Sequence, residues 1–387
     1  MDIAAQMTPA MRLNPYPFYK TARTMGGVVH INRPPLWNVF RYEDVRMVLS
    51  DQARFSSGLG AEGAPRSLIS TDPPRHTKLR SLVNRAFTPK AIAGLQPRIE
   101  ALATELLDRA QERGGLDLVG EFSEPLPVLV IAEMLGIPGE DRAAFKQWSD
   151  MIVSSADAVL MGDQAERPAG YDEAMAAMWA YFTDVIAQRR AHPADDLISG
   201  LVQAEIDGER LSNDDVLQFC WLLLVAGNET TTNLISNAVQ TLLDHPDALA
   251  RLREDLNLLP AAIEEVLRYR SPVQAMFRST AVEVKIGRHK IPAGEVVVAW
   301  IGSANRDAAR FTNPDRFDIT RTPNPHIAFG HGIHTCLGAP LARLEAGLAL
   351  SVFIRRFPVF QRSGNAPLEP VPGFILHGVK HLPLALA

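Results

Sequence analysis

Cysteine is almost absent from this chain: 387 residues contain two, Cys220 and Cys336. Two thiols make no disulfide framework, so a reducing cytoplasm is the expected setting. Positive charge is not in excess. Lys and Arg number 39 against 44 Asp and Glu, a net charge of −5. That argues against a nucleic-acid partner, which needs a basic face. Long apolar runs are missing too. The longest, Phe219 to Ala226, is far short of the ~20 residues that span a bilayer, so no membrane partner is expected. The N-terminus, MDIAAQMTPAMRLNPYPFY, has no basic segment followed by an apolar one, so no signal peptide is expected. Repeats, low-complexity tracts and flexible linkers are also lacking, and the 28 prolines are scattered as punctuation. What remains is ordinary globular composition, 47% hydrophobic and 21% charged, which excludes disorder. Length alone suggests two or three domains. With no convincing boundary, the expectation is one domain over residues 1–387, with room for a core and a ligand cavity.

The pattern predicts a mainly α fold with a minor β region. Short strand signals occur at Val28 to Ile31 and Leu36 to Phe40. Ser56 to Thr71, rich in Gly, Ser and Ala, reads as a long loop of the kind that carries function. Helical patterns dominate from Arg75 to about Gln240. Val282, Val284 and Ile286 alternate with polar residues, then Val296 to Ile301 runs apolar, and the two stretches read as a hairpin. A last helix starts near Pro340, followed by a Pro/Gly-rich tail with a weak hairpin signal.

One predicted helix conflicts with its own sequence. It starts at the cap Ser212, with acids behind it, and ends before Pro246. Its first half (FCWLLLVA) is apolar on every side and therefore buried. Its middle is Ala226-Gly227-Asn228-Glu229-Thr230-Thr231-Thr232. A mid-helix glycine and three β-branched residues oppose helix formation. A threonine hydroxyl there can bond a carbonyl one turn back and open the helix. Such conflicts between local and global preference mark functional sites.

The most specific segment is Phe329-Gly330-His331-Gly332-Ile333-His334-Thr335-Cys336-Leu337-Gly338-Ala339-Pro340. Its glycines let the backbone approach something flat and bulky. Pro340 suits a first helical turn, so Cys336 stands before a helix N-terminus, where a thiolate is stabilised. Three readings are open from these residues alone. His331, His334 and Cys336 could bind zinc, although the spacing suits no common structural site. A Cys-His nucleophile would leave the glycines unexplained. A haem iron held by one thiolate accounts for the glycines, the helix terminus and the long helix together.

FGHGIHTCLGAPLARLE resembles the haem-binding signature of the cytochrome P-450 enzymes, FGxGxHxCxG, at every fixed position. AGNETT resembles that family's oxygen-binding helix motif, and Glu265-Val266-Leu267-Arg268 its ExxR. The resemblance covers nearly the whole chain. It implies a soluble bacterial type of haem-thiolate monooxygenase, with haem b between the long helix and the Cys336 helix. Cys336 would be the iron ligand, Phe329 would pack beside it, and Gly330 and Gly338 with their backbone N–H groups would tune the sulfur. Ala226 and Gly227 would wall the oxygen pocket, and Glu229 and Thr230 would be an acid–alcohol pair that relays protons. His76, Arg80, Arg278 and His334 would hold the haem carboxylates. Glu265 and Arg268, completed by Arg316, would be structural.

The resemblance also implies substrate contacts from Ser56–Ser70, Met151–Met175, Leu223–Ala226, Val273–Phe277 and Phe374-Ile375. Leu68, Ile69, Val225, Val273, Met276, Phe374 and Ile375 are apolar, with Gln274 and Arg66 as polar anchors. Such a site suits a lipophilic small molecule: fatty acid, terpenoid, steroid or macrolide-like. Dioxygen and a separate ferredoxin with its reductase would complete the reaction, the protein acting as a monomer. Arg75, Lys78 and Arg343 are either a patch for an acidic ferredoxin or ordinary surface charge. The alternatives are a peroxide-driven peroxygenase, which the retained acid–alcohol pair disfavours, a non-catalytic haem-thiolate sensor, and a zinc or cysteine hydrolase.

Overall fold

The computed structural model describes residues 8–32, 35–58, 67–161 and 169–386. Helices dominate, and a small sheet region lies to one side. The elements that position the site are α1 (Tyr16–Thr24), β1 (Val28–Asn32), β2 (Pro35–Val39), β3 (Phe55–Ser56), α2 (Arg75–Ala86), α3 (Pro125–Met134), α4 (Arg142–Met161), α5 (Asn213–Asp244), α6 (Leu259–Tyr269), β4 (Ala275–Thr280), β5 (Val296–Trp300) and α7 (Ala339–Arg356). Among the described residues no helix is long and apolar enough to cross a membrane.

The long helix α5 has 32 residues, about 48 Å at 1.5 Å per residue. Its start is a capping box: Ser212 Oγ accepts from Asp215 N at 3.0 Å, and Ser212 N donates to Asp215 Oδ2 at 3.1 Å. Its far end meets Pro246, which opens the next helix. The expectation of an opened turn is not met, because the chain stays α-helical through Ala226 to Thr232. Thr230 Oγ1 does bond Ala226 O, at 2.7 Å, but within an intact helix. Gly227 has a packing reason. A Cβ there would come within 3.1 Å of Ile131 Cδ1 on α3, so glycine lets the two helices close on one another. Cys220 is fully buried on α5, and burial pushes its thiol up.

The five-stranded sheet runs β1-β2-β5-β4-β3. The expected hairpin after Ala281 forms with a different second strand. Val284–Ile286 pairs with His289–Ile291, whereas Val296–Trp300 pairs with β4 and, in parallel, with β2. The apolar run at Val296 is a central strand, buried on both faces, and so lacks alternation. Alternation is visible on β4. Ala275 and Phe277 join a cluster with Tyr19, Phe40 and Trp300, while Met276 and Arg278 face a cavity.

Candidate haem-thiolate site

The cavity lies between α5 and the loop that precedes α7. Leu222, Leu223, Ala226, Gly227 and Thr230 of α5 line one wall. Phe329, Gly330, Cys336 and Gly338 line the other. Val273 and Met276 close a side, and Leu68 and Ile69 reach it from a single turn ahead of α2.

The cysteine loop is shaped by backbone bonds. Gly330 N donates to Ile327 O at 2.9 Å, Thr335 N to Gly332 O at 3.1 Å, and Cys336 N to Phe329 O at 2.8 Å. Gly332 has φ +79°, and a Cβ there would sit 2.7 Å from Ser50 Cα, so glycine is required. Cys336 opens onto the cavity, although protein surrounds it closely. Burial pushes its thiol up; the N–H of Gly338, the Arg80 charge, the N–H of Ala339 and the Arg343 charge pull the other way. A cation bonded to the sulfur would complete that stabilisation.

A second group of side chains sits at the cavity's edge. The rings of His76 and His334 lie 4.2 Å apart. Both nitrogens of His76 and Nε2 of His334 are buried without a hydrogen-bond partner among the described residues. Arg278 is buried, and among the described residues its guanidinium donates to its neighbour's carbonyl alone, Phe277 O at 2.7 Å. Arg80 Nη2 donates to Thr335 O at 2.9 Å. Among the described residues none of the four is ion-paired to a carboxylate at contact distance. Burial, then the charges on His76 and Arg278, push His334 down to about 4. Orphaned buried donors are costly, so this cluster is built for an anionic ligand.

A sequence model of the cytochrome P450 family matches residues 18–383. The chain belongs to the cytochrome P450 family. A putative cytochrome P450, YjiB of Bacillus subtilis, is 44% identical over 371 residues, covering 95% of this chain and 92% of the relative. The cytochrome P450 monooxygenase PikC of Streptomyces venezuelae is 40% identical over 389 residues, covering 96% and 91%. The crystal structure of CYP109E1 from Bacillus megaterium in complex with testosterone superposes with a TM-score of 0.89 at 43% identity, covering 96% of this chain and 99% of that one. This P450 is therefore an oxidoreductase of the monooxygenase family, and its cofactor is haem held by a cysteine thiolate. The residues present fit that group. Cys336 faces Ala226 and Thr230 across the cavity, the glycine loop leaves space, and the orphaned donors match two carboxylates. The zinc alternative finds no support, since no group of three or more His, Cys, Asp and Glu among the described residues is placed to hold a metal ion.

Several predicted residues fall elsewhere. The arginine paired with Glu265 is Arg321, not Arg316. Arg321 Nε lies 3.1 Å from both Glu265 oxygens, while Arg316 contributes its backbone carbonyl to Arg268 and Arg321. Arg268 meets Glu265 at 2.8 Å, and both are fully buried. Gln274 is not a lining residue of the cavity: it accepts from Tyr19 Oη at 2.9 Å and donates to Ser271 O at 2.6 Å. Phe374 packs on Phe277 and Trp300, away from the cavity wall. Ile375 is buried, its carbonyl accepting from Gln274 N at 2.7 Å. Val225, about 100° round α5 from Ala226, does not line the cavity. Glu229 is half-buried beside Thr230 and is likewise not a lining residue. Arg66 and residues 162–168 of the Met151–Met175 segment lie outside the described residues. Arg75, Lys78 and Arg343 are each paired on their own chain, to Asp215, Glu209 and Glu264.

Sequence reasoning missed Ile131, Phe87, Phe219 and Glu345 on the cavity wall. Glu345 had a signal: a carboxylate four residues after Leu341 on an apolar helix face. Burial raises it well above the usual carboxylate range.

Proposed function

We propose that Cys336 binds the haem iron and that this P450 hydroxylates or epoxidises a lipophilic small molecule in the cytoplasm, with electrons from a separate ferredoxin and reductase. The supporting observation is the convergence on one cavity of Cys336, Arg278, His334 with its orphaned Nε2 and the small residues Ala226 and Gly227, with the orphaned His76 ring set against His334. Haem bound there supplies activation of dioxygen, one oxygen atom going to substrate and the other to water. The chain does the rest. Gly338 and Ala339 N–H groups bear on the sulfur and moderate its charge. Arg80, Arg278, His76 and His334 hold the haem carboxylates. Ala226 and Gly227 leave space against α5. Thr230 Oγ1 points its proton at Ala226 O, so its oxygen accepts a hydrogen bond from cavity water. Rotation of that hydroxyl turns it into a donor, and Glu229 one position earlier passes protons to it.

The walls are apolar: Leu68, Ile69, Leu222, Leu223, Val273 and Met276. They bind by excluding water and offer few polar groups to orient a substrate. CYP109E1, so similar in fold, binds testosterone. A steroid-sized lipophile is the leading substrate class, with terpenoids, fatty acids and macrolide-like compounds behind it. Turnover with a surrogate ferredoxin–reductase pair tests this. Substrate-dependent NADPH consumption and a product heavier by one oxygen are expected. Product with hydrogen peroxide and none with any electron-transfer pair would make the protein a peroxygenase. Haem binding with no turnover by either route would favour a sensor.

A further inference from the structure

Glu264 is gripped from two sides by groups beside the cysteine loop. Arg343 donates Nε at 2.6 Å and Nη2 at 2.9 Å, a bidentate fork. His326 Nε2 lies 2.9 Å away. Ala328 N–H donates to His326 Nδ1 at 3.2 Å, so the ring proton is on Nε2 and is directed at the carboxylate. Burial pushes Glu264 up, but the hydrogen bonds from Arg343 and His326 and the Arg343 charge overcome it, bringing it down to about 2. It is a carboxylate at every working pH.

The anchored guanidinium lies over the ring of Phe329, with Cζ 4.5 Å from the centroid, in cation–π range. Phe329 lines the cavity, and its carbonyl accepts the Cys336 N–H. Arg343 and the Cys336 sulfur each feel the other's charge. Arg343 is partly exposed, and an unanchored side chain of that length would follow water rather than stay on the ring. The contacts run from α6 through α7 to the cysteine loop.

We propose that the Glu264–Arg343 pair sets the reduction potential of the haem iron. Arg343 places a cation beside the sulfur that favours the reduced state, and Glu264 positions that cation while cancelling part of its charge. The inference rests on Cys336 being the iron ligand. Glu264→Gln keeps an acceptor for the guanidinium and removes the negative charge, so the potential rises. Arg343→Gln removes the cation, so it falls. Arg343→Lys keeps the charge but not the fork or the stack, so it falls less. The double variant, Glu264→Gln with Arg343→Gln, returns close to the starting value.

Spectroelectrochemical titration of the purified haem-loaded protein reads these shifts. Each variant is first reduced and treated with carbon monoxide. Absence of the thiolate Soret band in the unmodified protein would defeat the ligand assignment itself. With the band present, opposite shifts from the two single variants support the proposal. Shifts of the same sign, or none, overturn it. Should Glu264→Gln not load haem, the two substitutions of Arg343 decide. An Arg343→Lys potential between those of the unmodified protein and Arg343→Gln supports the proposal. One no different from that of Arg343→Gln overturns it as well.

Discussion

Two buried basic clusters flank this fold, and they are built in opposite ways. In one, Arg268 and Arg321 close on Glu265, whose oxygens also accept from Asp318 N at 2.9 Å and Asn324 Nδ2 at 3.3 Å. Arg268 spends its other donors on the carbonyls of Asn305, Pro314 and Arg316. In the other, His76, His334 and Arg278 present buried nitrogens with no carboxylate bonded to them among the described residues. The acid whose charge bears on all three is Asp72, which is engaged with Ser56 and with Ser57 N. In the first cluster the Glu265 charge meets two guanidinium groups without a ligand. The second is completed by one. Buried charge is costly unless paired, so the difference separates a structural network from a binding site more sharply than motif matching does.

Substitutions probe that difference. Glu265→Gln leaves Arg268 and Arg321 without their countercharge, and unfolding of the haem-free protein should become easier by ~3–5 kcal/mol, read by denaturant titration. Arg278→Ala should leave haem-free stability unchanged or higher and weaken haem retention instead. Loss of one charge-assisted bond of ~1.5–3 kcal/mol corresponds to roughly 10–100-fold faster haem transfer to an acceptor protein. Equal damage to the haem-free protein by both substitutions would erase the distinction. Within the first cluster, Arg321→Ala should destabilise clearly, while Arg316→Ala stays within ~0.5 kcal/mol, since Arg316 meets the cluster through its backbone carbonyl and its side chain is exposed.

A pH dependence is expected as well. His334, held down to about 4 in the folded chain, has an unfolded value near ~6.5. The unfolded state binds more protons between these values, so stability present above about 6.5 is lost as pH falls toward about 4. His334→Gln should flatten stability against pH in that window for the haem-free protein. An unchanged slope would mean that the surroundings of His334 do not hold its proton affinity down.

The cysteine loop and α5 were legible because their information is local. Ser212 with Asp215 caps the helix, and Gly330, Gly332, Cys336 and Gly338 follow one another within a single loop. Arg321 was not legible. Which arginine of the Pro314 to Arg321 stretch reaches Glu265 depends on turns whose direction no short pattern encodes. Gln274 and Phe374 do not line the cavity because their side chains serve the Tyr19–Trp300 cluster on the other face of the sheet. The exchange of partners at Val296 came from a central strand that lacks the alternation that sets register. Ile131 enters the site only through the packing of α3 on Gly227, a contact between distant parts of the chain.

The central claim is that Cys336 holds haem iron as a thiolate in this cavity. The direct measurement is the spectrum of the purified haem-loaded protein after reduction and addition of carbon monoxide, compared with Cys336→Ser. The account predicts the red-shifted Soret band of thiolate-ligated haem in the first and its loss in the second. A protein without that band, or a Cys336→Ser variant that keeps it, would contradict the account.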